Sequence, residues 1–270
     1  MGFTIPADAE MLLRLGIFLV VFGVLAAWEW AAPARSARLS RALRWRANLG
    51  LAVLNTLLLR IALPGSALAF AALGAEERWG LLNRFSLPDW LAVAAGVLLL
   101  DLTIYFQHVL FHSVPLLARL HSVHHADPDF DLTTGIRFHP LEIALSTAIK
   151  FAAIAALGAP VLAVLAFEVL LNATAMFNHA NVSLPARIEP WVRRFLVTPD
   201  MHRTHHSVIE SERNSNYGFC LSVWDRMLGT YTPVPSGELD IGLSAWRDPA
   251  RVATLRGTLE LPFLRERSAV

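Results

Sequence analysis

Five apolar runs constrain this chain more than any other feature. Residues 11–30, 49–73, 91–112, 141–157 and 160–177 each approach or exceed the ~20 apolar residues a helix needs to cross a bilayer. Inside lipid the backbone has to satisfy its own hydrogen bonds, so runs of this length are read as helices. Composition agrees. The 270 residues are 55% hydrophobic and 17% charged, with a mean hydropathy of +0.47, whereas a soluble domain is nearer ~45–50% apolar and ~25% charged. The expected fold is all-α, an integral membrane helical bundle of about 4–5 spans. The count turns on residues 49–73, where Arg60 and the Pro64-Gly65 break allow either one kinked span or a re-entrant pair. A cleaved signal peptide is the alternative for the first run, but that run lacks a basic leading region and a small-residue cleavage site.

Charge sets an orientation. Arg35, Arg38, Arg41, Arg44 and Arg46 follow the first run, and the positive-inside rule places that loop in the cytoplasm. The N-terminus is then extracytoplasmic, and the third run travels inward to end at His108 and His112. Residues 76–89, bracketed by Trp79 and Trp90, look interfacial. Residues 141–157 and 160–177 form a hairpin around Gly158-Ala159-Pro160, which brings His179 back to the cytoplasmic side. The chain reads as one unit, 1–270. Spans fall within 11–112 and 141–178, cytoplasmic segments are 113–140 and 179–231, and a C-terminal tail covers 232–270. The expected product is a bundle with a cytoplasmic histidine-rich helical cap. A net charge of +1 implies no nucleic-acid partner. The single cysteine, Cys220, excludes intramolecular disulfides and thiolate metal sites.

The histidines carry the chemistry. The stretch DLTIYFQHVLFHSVPLLARLHSVHH, residues 101–125, holds five of the ten. His108 and His112 are spaced to share one helix face. His121, His124 and His125 form a His-x-x-His-His box, repeated by His202, His205 and His206. Adjacent imidazoles on a helix diverge by roughly 100°, so one can address one ion while its neighbour addresses a second. With His179, nine imidazoles converge on one side of the membrane. Pairs at this spacing are often interfacial or pH-sensitive residues, but that does not account for three boxes on one side. Nine ligands exceed the roughly four of a zinc site and suit two ions with four or five each. Imidazole suits iron, copper, nickel and zinc alike, so spacing does not name the metal.

Three further residues stand near these ligands. Asp101, Tyr105, His108 and His112 lie on one helix face, as do Glu168, Asn172, Ala175 and His179. A carboxylate within a span is by default functional, so Asp101 and Glu168 are expected to accept ring N–H bonds from ligating histidines. The alternative is an ion pair with Lys150 or Arg60. His139 precedes Pro140 and is expected to cap or orient the following helix, whose first turn holds Glu142, rather than to ligate. Thr198-Pro199-Asp200 starts a short helix carrying the last box, and Gly229 is a helix stop.

The boxes HVLFH, HSVHH and HRTHH, together with RFHPLE, FNHANVSLP, TPDMHRTHHS and NYGFCLSVWDRMLGTY, resemble the fatty acid hydroxylase/sterol desaturase superfamily of integral-membrane di-iron enzymes. The resemblance covers roughly residues 48–231 and follows the same motif order. It implies two iron ions, O₂ as co-substrate, and hydroxylation or desaturation of a lipid C–H bond. It implies His108, His112, His121, His124, His125, His179, His202, His205 and His206 as candidate metal ligands. Fatty acid 2-hydroxylases in that superfamily tend to carry a histidine where this chain has Ser183, and no cytochrome b5-like domain is found fused within these residues. Both departures point to the sterol desaturase and alkylglycerol monooxygenase side.

The chain has no Gly-rich nucleotide fingerprint of the G-x-G-x-x-G type and too few cysteines for an iron–sulfur cluster. An external donor, cytochrome b5- or ferredoxin-like, is therefore expected to supply electrons. The expected partners are this donor and a membrane lipid of sterol, alkylglycerol or fatty acyl type. Two other classes compete. A histidine-rich metal transporter would need ligands along a path through several spans, whereas here they gather at one end. A metal-dependent lipid hydrolase would use metal-bound water and would consume no O₂.

Overall fold

The computed structural model describes residues 7–63 and 65–264. Residues 1–6, the expected break residue Pro64, and residues 265–270 of the tail lie outside the described residues. Among the described residues the fold is helical and contains no strand, only three isolated bridges. Five stretches are long and apolar enough to cross a membrane: Ala9–Ala31, Arg41–Glu76, Asp89–Ser113, Pro140–Leu157 and Val161–Asn178. The chain is a multi-pass membrane protein.

Helix α1 covers Ala7–Ala31, α2 Arg41–Ala62, α3 Ala67–Glu76 and α4 Asp89–Ser113. Next come α5 at Pro115–His125, α6 at Pro140–Leu157 and α7 at Val161–Asn178. The second apolar run therefore divides. Its 22-residue α2 is ~33 Å long at 1.5 Å per residue, enough to span. The 10-residue α3, ~15 Å long, is too short. Helix α3 stays at the end of the bundle where Gly80 meets Gly158. There Leu81 N–H donates to Ala156 O at 2.9 Å, and Phe70 packs between Trp79 and Phe151. A Cβ on Gly158 would lie 2.1 Å from the Trp79 carbonyl, so the two loops touch there only because both residues are glycine.

The opposite end gathers the C-termini of α1, α4 and α7 and the N-termini of α2 and α6. Glu29 in α1 accepts the backbone N–H groups of Leu132 and Asn181, both at 2.7 Å. Arg38 and Leu39 donate their backbone N–H to Asp129 at 2.6 and 2.7 Å. The basic segment thus sits at the same end as His108, His121 and His179. Part of it is not loop: Arg41, Arg44 and Arg46 lie in the first turns of α2. Arg44 is buried there, forked onto Asp127 and held to Asp131, each contact 2.7 Å. This pairing explains why the helix starts eight residues before the apolar run.

The core of the spans is the contact of α3, α4, α6 and α7 around Leu100, Ile104, Ile154 and Phe167. By contrast α1 leaves Leu12, Leu19, Val20 and Val24 exposed, as a helix facing lipid does. Short helices α8 (Glu189–Val192), α9 (Pro199–His205), α10 (Glu210–Arg213) and α11 (Val223–Leu228) follow α7. Thr198 caps α9, its hydroxyl accepting from Met201 N at 3.3 Å, with Pro199 in the first turn. Gly229 ends α11 at φ +74°. The tail then folds back through α12 (Pro249–Val252), α13 (Leu255–Glu260) and a final 3-10 turn, Leu261–Phe263. Val252 and Leu261 join Leu51, Val123 and Ala126 in a second core, which anchors the tail on α2 and α5.

Candidate metal centre

Four elements deliver the nine imidazoles. The last two turns of α4 carry His108 and His112. Helix α5 carries His121, His124 and His125. His179 caps the C-terminus of α7, and α9 carries His202 and His205 with His206 at its C-cap. Eight of the nine are buried, and His112 is half-buried.

They fall into two groups. One comprises His108, His112, His121, His125 and His205; the other comprises His124, His179, His202 and His206. Within each, one ring nitrogen per residue lies within 4.8 Å of all the others. The structure places the adjacent pairs His124/His125 and His205/His206 in opposite groups, as the angular divergence of neighbours on a helix requires.

The orientation of the rings shows what they face. His108 donates its Nδ1–H to the Tyr217 carbonyl at 2.8 Å, and His205 donates its own to the Ser215 carbonyl at 2.7 Å. His179 donates to Ala175 O at 2.7 Å. A carbonyl can only accept, so in the neutral ring the Nε2 carries the lone pair. Yet His205 Nε2 and His108 Nε2 stand 3.0 Å apart. His179 Nε2 stands 3.1, 3.0 and 3.2 Å from the Nε2 atoms of His124, His202 and His206. No single proton satisfies three such contacts.

Burial also opposes protonation. It holds His179 down at a pKa of about 3. Burial, reinforced by neighbouring imidazoles, drives His124, His125, His202, His205 and His206 well below the ordinary value. Converging lone pairs in a dry site fit a cation. Two nitrogens ~2.0–2.1 Å from one ion at right angles lie about 3 Å apart, which is the spacing found. Buried ring nitrogens without a protein partner, including Nε2 of His112, His121 and His125, fit the same requirement.

The expected supporting carboxylates need correction. Asp101 touches no histidine. It accepts from Trp224 Nε1 at 2.8 Å and from the backbone N–H of Cys220 and Leu221 at 3.2 and 3.3 Å. It therefore clamps the loop whose Ser215 and Tyr217 carbonyls orient His205 and His108. Asp225 secures the same loop through Tyr217 N and Gly218 N at 2.7 and 2.8 Å. Glu168 is also not a ring acceptor. It pairs with Lys150 and, at 2.7 Å, with Arg14 of α1. The ion-pair alternative holds for Glu168, because two cations within reach outcompete a neutral imidazole. His139 stands apart from both groups and caps α6, its Nδ1 accepting from Leu141 N at 3.2 Å.

The carboxylate that does hold a ring is Glu142. Its Oε1 accepts the His121 Nδ1–H at 2.6 Å, and both side chains are buried. The sequence pointed to Glu142 only as an anion in the first turn of a helix. Its position three residues past His139 gives no hint that α5 folds over that turn. Glu142→Gln is expected to keep the fold and weaken metal binding or turnover ~10–100-fold, the usual effect of losing a ligand's orienting partner. Metal titration of the purified variant checks this, and unchanged affinity would return Glu142 to a capping role.

The fold and site thus define an integral-membrane protein with a two-part polyhistidine centre at one end of its helical bundle. The sequence profile described as "Fatty acid hydroxylase" matches residues 93–230, more than half the chain, and the protein belongs to that family. An ornithine lipid hydroxylase of Rhizobium tropici is 31% identical over 158 residues, covering 58% of this chain and 47% of its own length. Human alkylglycerol monooxygenase is 28% identical, covering 57% of this chain and 34% of its own. Mouse cholesterol 25-hydroxylase is 30% identical, covering 53% and 47%. The chain thus spans about a third to a half of the length of these relatives. No solved structure matches it.

Proposed function

We propose that this chain, 1–270 as one unit, is an O₂-dependent oxidoreductase that hydroxylates or desaturates a C–H bond of a membrane lipid. The observation that carries the reading is the pair of imidazole groups whose buried Nε2 lone pairs converge at about 3 Å. His108, His112, His121, His125 and His205 would hold one iron ion, and His124, His179, His202 and His206 the second. Two such ions supply, when bound, the redox chemistry needed to reduce O₂ and oxidise an unactivated C–H bond. The protein's own residues do the rest. The Tyr217, Ser215 and Ala175 carbonyls and Glu142 fix ring tautomers. Asp101 and Asp225 hold the loop that carries two of those carbonyls. Burial keeps the imidazoles neutral. Relatives named for hydroxylation of ornithine lipid, alkylglycerol and cholesterol support a lipid substrate. Electrons come from an external donor protein of cytochrome b5 or ferredoxin type.

The test is turnover of the purified, iron-loaded chain in lipid nanodiscs under ¹⁸O₂ with a reductant. A hydroxylated product should carry the label; a desaturated product should lose two mass units and still require O₂. A hydroxyl derived from water, or turnover without O₂, would overturn the reading.

The site end carries Arg35, Arg38, Arg41 and Arg44, so the positive-inside rule favours a cytoplasmic centre. Single cysteines introduced at the exposed positions Ser36 and Ser211 should both label from the cytoplasm, with the native Cys220 silent because it is buried. Labelling from opposite faces would contradict this orientation.

A further inference from the structure

A cavity of about 640 Å³ opens beside the five-histidine group and is lined by His112, His121 and His125. None of the four histidines of the other group lines it. Its size falls within the range of ligand pockets. One wall comes from the end of α4 and from α5, through Phe111, Pro115 and Ala118. The facing wall comes from the tail: Leu243, Trp246, Leu261, Pro262 and Leu264. These tail residues all lie beyond residue 230, where the family match ends. The tail is not loosely draped. Its bridge to Ser207 at Ile241, the Gly242 N–H bond to His206 O at 3.0 Å and the core contacts of Val252 and Leu261 hold it over the site. Arg137, fully buried, donates to both Val123 O in α5 and Val252 O in the tail, at 2.7 and 2.6 Å. The two walls are thereby joined. The rim carries charges of both signs, Arg119, Glu210 and Arg213.

We propose that this cavity binds the lipid, and that the tail wall, which includes Trp246 and Leu261, decides which lipid and which carbon reach the histidines. The assignment rests on the oxygenase reading for its chemistry and on the cavity for its location. The apolar side chains that line both walls, leading to three imidazoles with unpartnered Nε2 atoms, suit a hydrocarbon chain. A rim with both signs of charge takes a zwitterionic headgroup, whereas a sterol presents only one hydroxyl. The wall lies outside residues 93–230, the part of the chain that matches the family profile.

Photo-crosslinking tests the location without turnover. The metal-loaded full chain is placed in nanodiscs containing phosphatidylcholine with a diazirine on its acyl chain, and adducts are mapped by mass spectrometry. Adducts are expected on the peptides carrying Trp246 and Leu261, besides those on the lipid-facing side of α1. Ala118→Trp, which fills the pocket from α5, should cut the tail adducts about tenfold and leave the α1 adducts and the metal content unchanged. Should that variant fail to hold metal, Leu264→Trp makes the same test from the tail side. A photoactivatable cholesterol should label the tail far less than the phospholipid does. In the oxygenase assay, Trp246→Ala should move the position of oxidation along the chain. Tail peptides without adducts, adducts indifferent to both tryptophans, or equal labelling by the sterol would overturn the proposal. Because the labelling needs no O₂, it stands or falls separately from the oxygenase reading.

Discussion

His179→Ala is expected to release one of the two metal ions and abolish turnover. Its Nε2 is the hub of the four-histidine group, 3.0 to 3.2 Å from each of the other three. Its orientation is fixed from below by the Ala175 carbonyl and from the side by Gly135, where a Cβ would come 3.2 Å from the His179 ring. Without it, three imidazoles remain in the group. The expected metal content falls from about two ions per chain to about one, because the five-histidine group shares no ligand with the other. Loss of an orienting partner alone typically costs ~10–100-fold, so loss of the ligand itself should exceed that range. His139→Ala provides the contrast. That residue caps α6 and contacts neither group, so the variant should keep both ions. Elemental analysis and product assays on the two variants decide the matter. Full retention of both ions in His179→Ala would reject the ligand grouping.

The division of the histidines was legible because it depends on local geometry. In His-x-x-His-His the helical rise and twist alone send neighbouring rings apart, and the two boxes repeat the instruction. The spans were legible because hydrocarbon tolerates few alternatives to a helix. The supporting residues were much less legible. Asp101 and Glu168 lie on the same faces as histidines, and periodicity correctly aligned them with those faces. Facing a ligand along one's own helix is still different from touching it. Asp101 precedes His108 by seven residues and Glu168 precedes His179 by eleven, ~10 and ~16 Å of helical rise, and partners from elsewhere filled those distances. For Asp101 they were the backbone of residues 220–221 and the Trp224 indole. For Glu168 they were Lys150 and Arg14, from two other helices. Glu142 shows the converse. Its approach to His121 is set by how α5 folds back over α6, a tertiary fact with no signature in spacing. The division of the second run was signalled by Pro64-Gly65, which falls between α2 and α3, but hydropathy does not say whether the second piece also crosses.

Arg44→Ala should be the most destabilising single change outside the histidines. The guanidinium is buried and fully used. Nε and Nη2 fork onto Asp127, Nη1 reaches Asp131, and Nη2 also meets the Asp129 carbonyl at 2.8 Å. The two carboxylates have few other cations. Arg137 lies close but spends its donors on Val123 O, Asn48 Oδ1 and Val252 O. Removing Arg44 breaks the direct pairing of two buried carboxylates and leaves Arg137 as a nearby cation that is hydrogen-bonded elsewhere, a loss of ~3–5 kcal/mol for a broken buried pair. That is a large share of the ~5–15 kcal/mol that holds a typical domain together. Asp127 follows His124 by three residues and His125 by two, so the strain reaches both metal groups through the end of α5. Arg44→Lys should fall between, because an ammonium replaces the charge but not the fork. Restoring neutrality should help: Arg44→Met combined with Asp127→Asn and Asp131→Asn should recover part of the loss, since the cost lies in unpaired charge. Thermal unfolding of the detergent-solubilised variants, with metal content measured below each transition, reads the effect. A wild-type midpoint for Arg44→Ala would mean that the Asp127–Asp131 turn is held by its own Thr133 and Thr134 hydrogen bonds, and that the arginine merely occupies the space between them.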